Sequence, residues 1–247
     1  MKVLVIGESC KDVFHYGESN RLCPEAPVPV FKAINQTENG GMAKNVQNNL
    51  LFFDVEADII TNDNWELITK TRFVDYRTNH MFLRVDENDD KYGVLSLETI
   101  KNYDLNSYQA IIVSDYDKGF LTTDILREIP NLHNLVLLDT KKILGDWSHG
   151  YSFIKINNKE YERTKHTISD EIKKRLIVTR GSEGSEFLGT KYKVSDVEVK
   201  DTSGAGDTFI ASFAKTFIET RDIGRSIQFA NDCSTRVVQK RGVSVCD

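Results

Sequence analysis

The chain has 247 residues, of which 40% are hydrophobic and 28% charged, with a formal net charge of -5. A chain of this length can bury a core without disulfide support, and the composition is that of a soluble globular protein. The acidic balance excludes a general nucleic-acid surface, which needs clustered Lys and Arg, but leaves room for a small basic pocket around an anion. Residues 3–7, an apolar Val-Leu-Val-Ile-Gly run, predict a first buried strand, too short for a signal peptide or a membrane span. Residues 24–32 hold three of the four prolines, so they predict an edge strand or extended flap rather than a central strand. Residues 81–86 alternate in character and predict a second strand, which together with the flap forms a small β lid over about 13–34 and 78–88.

Four further apolar runs, at 110–114, 135–139, 153–156 and 176–179, lack strict alternation, as parallel strands covered on both faces do. Most end in polar or Gly residues, and in open α/β sheets the ligand crevice lies beyond the carboxyl ends of the strands. Residues 185–199 predict a hairpin, with 194–199 as a strand leading into a turn. Helical stripes follow at 205–220 (Ile210, Phe213, Ala214, Phe217, Ile218) and at 223–238 (Ile227, Ala230, Cys233, Val237). The expected architecture is one α/β domain over residues 1–247, a three-layer α/β/α fold with a mostly parallel sheet. Cys10, Cys23, Cys233 and Cys246 are too widely spaced for a zinc set and read as reduced thiols of a cytoplasmic protein.

The most informative string is Asp201-Thr202-Ser203-Gly204-Ala205-Gly206-Asp207. Small residues at a helix start let a ligand approach the backbone, where unpaired N–H groups and the helix dipole favour an anion. Asp207 falls in the first helical turn beside that anion, placed to take a proton from a hydroxyl. Phosphoryl transfer depends on alignment and on stabilising charge over the phosphate oxygens, which such a turn supplies. Neither a Gly-x4-Gly-Lys P-loop nor the protein-kinase motifs occur.

The string resembles the second signature of the ribokinase-like (PfkB) carbohydrate kinases. That resemblance implies an ATP- and Mg2+-dependent sugar kinase with Asp207 as catalytic base and Gly204, Ala205 and Gly206 as the anion hole. It carries over Asp12, Gly40, Gly41 and Asn45 as substrate-binding residues. Asn157 and Glu160, in an Asn-x-x-Glu motif, act through magnesium and its waters. Thr179, Gly181, Gly184 and Asn231 line the nucleotide, and Asp201 is a candidate ligand for a potassium ion. Taken alone, Asp12 is a turn carboxylate, Asn45 a helix cap and the Asn157–Glu160 tetrapeptide a solvated loop.

The segment from Tyr16 to Val30, together with Arg84-Val85-Asp86, Ser114–Gly119 and Asp139-Thr140-Lys141, is similar to the heptose-7-phosphate kinases within that family. This likeness implies D-glycero-D-manno-heptose 7-phosphate as acceptor, phosphorylated at its anomeric hydroxyl. It adds Arg84, Asp115 and Lys118 as substrate-side residues, with Arg21 as a further cation for the sugar's own phosphate, and Lys141 for the nucleotide or that phosphate. No nucleotidyltransferase domain is expected, nor any nucleic-acid or membrane partner; a homodimer through the lid is. A kinase for another sugar or nucleoside, or a catalytically idle binding protein of the same fold, are the alternatives. The chain departs from the family in being short between Asn45 and Arg72 and between Tyr161 and Lys174, and in carrying Met42 where a small residue is common.

Overall fold

A computed structural model describes residues 1–247. Two sheets organise them. The larger is built on β1 (Lys2–Gly7), preceding the lid strands β2 (Lys11–Glu18) and β3 (Lys32–Asn39), then α1 (Gly41–Phe52) and β4 (Glu56–Ile60). The lid continues with β5 (Thr69–Asp75) and β6 (Met81–Glu87), followed by α2 (Leu97–Lys101). The main sheet resumes with β7 (Ala110–Asp115), α3 (Thr123–Glu128), β8 (Val136–Thr140) and β9 (Phe153–Asn157). Next come α4 (Asn158–Thr164), α5 (Asp170–Lys173), β10 (Leu176–Thr179), β11 (Ser185–Phe187), β12 (Thr190–Tyr192), α6 (Ala205–Thr220) and α7 (Ile223–Val237).

The main sheet runs β12-β11-β10-β9-β8-β7-β1-β4, parallel from β10 to β4, with β11 and β12 as an antiparallel hairpin at one edge. Successive residues of a strand face opposite layers. In β1, Leu4 and Ile6 enter one core with Ile100, Leu126 and Ile172 of the short helices. Val3 and Val5 enter the other with Val46 of α1, Phe213 of α6 and Ile227 of α7. Each fully buried Leu, Ile or Val contributes roughly 1.5–3 kcal/mol of transfer free energy, so the two cores fix this three-layer scaffold firmly.

The lid is a separate four-stranded sheet, β3-β2-β5-β6, with β2 and β5 parallel and both outer pairs antiparallel. It is wider than expected: β6 lies where the second lid strand is predicted, but the lid also includes β5, before residue 78. The Pro-rich segment is not a strand: between β2 and β3 only Leu22 and Pro29 pair, because prolines cannot donate to a ladder. Residues 194–199 are likewise no strand. The hairpin ends at Tyr192, and the chain beyond it finds no neighbour to pair with, lying instead along the cleft. The helices at 205–220 and 223–237 form where the apolar stripes indicated.

Candidate active site

The carboxyl ends of β7, β8, β9 and β10 meet the start of α6, and the cleft there has a volume of about 580 Å³. That is the size of ordinary small-molecule sites. Gly204 caps α6 in the left-handed region at φ 78°, which a side chain rarely adopts. A Cβ on Gly206 would stand 2.7 Å from the Lys155 Nζ and 3.9 Å from Asp139 Oδ2. The helix start is therefore bare backbone lying directly over a buried lysine.

Asp207, in the first turn of α6, is 2% exposed. Asn45 Nδ2 donates to its Oδ2 at 3.2 Å and the Tyr116 hydroxyl donates to its Oδ1 at 2.7 Å. Burial pushes this carboxyl up to about 6; Asp139 adds to the rise, while Tyr116, Lys155 and Asn45 oppose it. It is thus ionised at neutral pH yet close enough to titration to hold a proton, the poise expected of a general base.

Lys155 and Asp139 form an ion pair at 2.8 Å, the lysine 2% and the aspartate 5% exposed at their side chains. A lysine within the otherwise apolar Phe-Ile-Lys-Ile-Asn strand needs a partner. That oddity was visible in the sequence and was passed over there. Asp139 Oδ1 has no hydrogen-bond partner. Lys141 is held in the cleft by Glu160 Oε1 at 2.7 Å. Burial works against its charge, but Asp139 and Glu160 raise its ammonium above the ordinary lysine range.

Asn157 and Glu160 form a capping box at the start of α4: Asn157 N–H donates to Glu160 Oε2 at 2.6 Å, and Glu160 N–H to Asn157 Oδ1 at 3.0 Å. Glu160 is already held by Lys141 and Asn157, while Asp139 and Asp196 line the cleft itself. Magnesium keeps several waters and takes few protein groups, so the pair fits a metal held through its water shell rather than a cage of ligands. Thr179, Gly181 and Gly184 line the same cleft. At Gly184, φ is 87° and a Cβ would collide with the Tyr192 carbonyl at 2.0 Å. Asn231 also lines the cleft, but its Nδ2 is committed to that same Tyr192 carbonyl at 2.8 Å, so it shapes the wall.

The residues expected to bind the acceptor lie where the lid joins the sheet. Asn39 Oδ1 accepts from Gly41 N–H at 2.8 Å, Cys10 N–H donates to the Gly40 carbonyl at 3.1 Å, and Ala43 N–H to the Glu8 carbonyl at 2.9 Å. This stitching forces Gly41 to φ 58° and Met42 to φ 38°. For methionine that is strain of about 1–3 kcal/mol, stored where a ligand is expected. Asp12 is paired with Arg72, which the sequence reading did not single out. Arg72 lies 4.8 Å from the Phe14 ring and stands directly across the strand pair from Arg84. Burial and the Arg84 charge both lower the Arg72 guanidinium. Arg84 is itself paired with Asp86 at 2.5 Å.

Three of the expected residues point elsewhere. Asp115, 1% exposed, spends its carboxylate on Lys142 at 2.8 Å and on Thr140, inside the rim rather than in the cleft. The Lys118 ammonium is tied to Asp89, which also takes Lys70 at 3.0 Å. Arg21 sits on the exposed flap. Asp201 accepts Ser203 N–H at 2.8 Å and Gly242 N–H at 3.1 Å, clamping the signature turn to the segment after α7.

A family model described as pfkB family carbohydrate kinase matches residues 55–247. Bifunctional protein HldE of Helicobacter pylori (strain J99) is 31% identical over 98% of this chain, and that of Aliarcobacter butzleri is 28% identical over 97%. The chain spans 63% and 61% of those proteins, and the first alignment runs over 297 positions, so that relative has residues this chain lacks within the matched part. Among solved structures, the nucleoside kinase of Methanocaldococcus jannaschii, an archaeal member of the ribokinase family, superposes with a TM-score of 0.72 at 17% identity, covering 99% of this chain and 94% of that one. Arabidopsis thaliana ribokinase complexed with ribose and ATP gives 0.66 at 16% identity, covering 98% and 93%. These structural likenesses establish a ribokinase-like fold.

Proposed function

The chain belongs to the pfkB family of carbohydrate kinases, phosphotransferases with an alcohol acceptor, and on that premise we propose that it transfers the γ-phosphate of ATP to a phosphorylated sugar, D-glycero-D-manno-heptose 7-phosphate, at its anomeric hydroxyl. The observation that supports the reaction best is the buried Asp207 at the start of α6, beside the bare backbone of Gly204, Ala205 and Gly206. In this reading the acceptor hydroxyl oxygen forms the new bond to the γ-phosphorus as the bond to the bridging β,γ-oxygen breaks. Its proton passes to Asp207, and ADP departs with the bonding pair. The N–H groups of the helix start hold the transferring group, and Lys155, just beneath Gly206, adds positive charge under it. Magnesium, when bound, would neutralise phosphate charge; Asn157 and Glu160 would hold its waters.

What favours a phosphorylated acceptor is the Arg72–Arg84 pair. Each guanidinium already has a carboxylate partner, Asp12 or Asp86, yet burial and the facing Arg84 charge still disfavour the Arg72 cation, and a phosphate beside the two would relieve that. Asp12, paired with Arg72, would orient the sugar hydroxyls within reach of that phosphate. The heptose itself is supported by the likeness of the Tyr16–Val30 string to heptose-7-phosphate kinases. Two further features belong to the same reading. A potassium ion beside Asp201 would stiffen the signature turn. A second copy would cover β3 and β6, whose residues are nearly all exposed at the two edges of the lid. The test is ADP release measured over a panel of free and phosphorylated sugars. Turnover with heptose 7-phosphate and little with unphosphorylated sugars supports the proposal, and turnover of free sugars alone contradicts the acceptor assignment.

A further inference from the structure

Tyr116, the first residue after β7, lines the cleft and reaches Asp207 behind the start of α6. Its hydroxyl lies 2.7 Å from Asp207 Oδ1, the usual length of a good O–H···O bond, whereas the Asn45 bond to Oδ2 is longer at 3.2 Å. The hydroxyl makes no other hydrogen bond. Burial and the Asp207 charge hold the phenol well above its ordinary range, so at neutral pH it is a donor. The residue is braced on three sides. Its N–H donates to the buried carboxylate of Glu8 at 2.9 Å, and the Lys141 ammonium lies 5.2 Å from its ring centre. The neighbouring Lys118 N–H also reaches Glu8, at 3.3 Å.

We propose that Tyr116 is the positioning residue of the base: its hydroxyl fixes Asp207 Oδ1, so that the other oxygen faces Asn45 and the acceptor hydroxyl. The proposal rests on the reading of Asp207 as the base. An aspartate this buried, with Asp139 close by, needs donors to hold its charge; Lys155 supplies a countercharge from β9, and Asn45 a weaker bond from α1. Lys141, from the end of β8, feels the Asp207 charge but is bonded to Glu160; Glu8, from the end of β1, takes the Tyr116 N–H, and Cys10 adds only a repulsive charge if ionised. Tyr116 is thus the shortest contact on the base, from a residue 91 positions away.

The experiment compares the pH profile of kcat/KM for the sugar phosphate in the wild-type protein, in Tyr116→Phe, and in a protein carrying 3-fluorotyrosine at 116. Phenylalanine keeps the ring, its contact with Lys141 and the backbone bond to Glu8, so the fold is spared. Loss of the donor moves the acid limb up by about one pH unit, a tenfold loss of activity well below the midpoint, with the KM for ATP unchanged. The fluorinated phenol, a stronger donor, moves the limb down. An unshifted acid limb in Tyr116→Phe, or a fluorotyrosine limb that rises, overturns the proposal while leaving the base assignment standing. Full activity in Asp207→Asn overturns the base assignment itself, whatever Tyr116 does.

Discussion

The signature cradle and the lid meet at one cleft but are built on opposite terms. Around the cradle, every residue of β7 and β8 is buried, and the charges there are single residues held in pairs, Lys155 with Asp139 and Lys141 with Glu160. The lid has only Phe14, Tyr16 and Val74 as a core of its own. One of its faces carries Asp12, Lys70, Arg72, Arg84 and Asp86, and its outer strands β3 and β6 are almost wholly exposed. In the proposed reading, chemistry that tolerates little misplacement is mounted on the two large cores, and selectivity for the acceptor on a thin sheet held mainly by charge. On this division, changes at the cradle alter turnover or stability outright, whereas changes on the lid alter which substrate is accepted.

The largest effect is expected at Asp207. Asp207→Asn should lower kcat by about 10²- to 10⁴-fold, the usual worth of general base catalysis, while ATP still binds. Its stability should not suffer. The carboxyl is raised above its unfolded value, so folding favours its protonated form; that advantage is present below about pH 4 and lost as the pH rises through about 6. At neutral pH the amide therefore removes a burdened charge, and thermal melts should show an equal or higher midpoint. Lys155→Met comes next. It leaves Asp139 buried without its partner, and urea unfolding should report a loss of about 3–5 kcal/mol. A variant as stable as the parent would show that the pair is not the buried anchor of the cradle.

On the lid, Arg84→Met should raise the KM for a sugar phosphate by about 10- to 100-fold, the value of a charge-assisted hydrogen bond, and leave unphosphorylated sugars unaffected. Equal effects on both kinds of acceptor would place Arg84 outside phosphate recognition. The smallest effect belongs to the outer face. Leu83, 55% exposed, is the natural site for Leu83→Glu. Surface substitutions change stability by about 0.5 kcal/mol or less, so the readout is sedimentation: dimer in the wild-type protein, monomer in the variant. A monomeric wild-type protein would remove the lid dimer altogether.

The same contrast governs what could be read from the residues alone. The cradle's strands are continuous apolar runs, and α6 and α7 show plain helical stripes, so both were legible. The short edge strand β4 and the charged lid strand β5 carry no such pattern. Neither does α1, where Gly and Asn weaken the helical signal. The signature turn was legible because seven neighbouring residues make it. Tyr116 and Arg72 were not singled out, since their meaning lies in contacts across the fold. Asn45 was assigned to the substrate only by resemblance; its bond to Asp207 spans 162 positions. Asp115 was misdirected for the converse reason: a polar strand end suggested the cleft, but Lys142 and Thr140 turn it inward.

The most direct measurement of the central claim is the pH dependence of kcat/KM for the sugar phosphate. Burial pushes the Asp207 carboxyl up to about 6 and the Glu8 carboxyl, beside Asp115, up to about 7. Glu8→Gln removes the second group and isolates the first. In that background, activity should fall as the pH drops through about 6, because the protonated carboxyl can no longer accept the hydroxyl proton. A profile that stays flat from about pH 5 to pH 8, with chemistry limiting the rate, would contradict the assignment of Asp207 as the base.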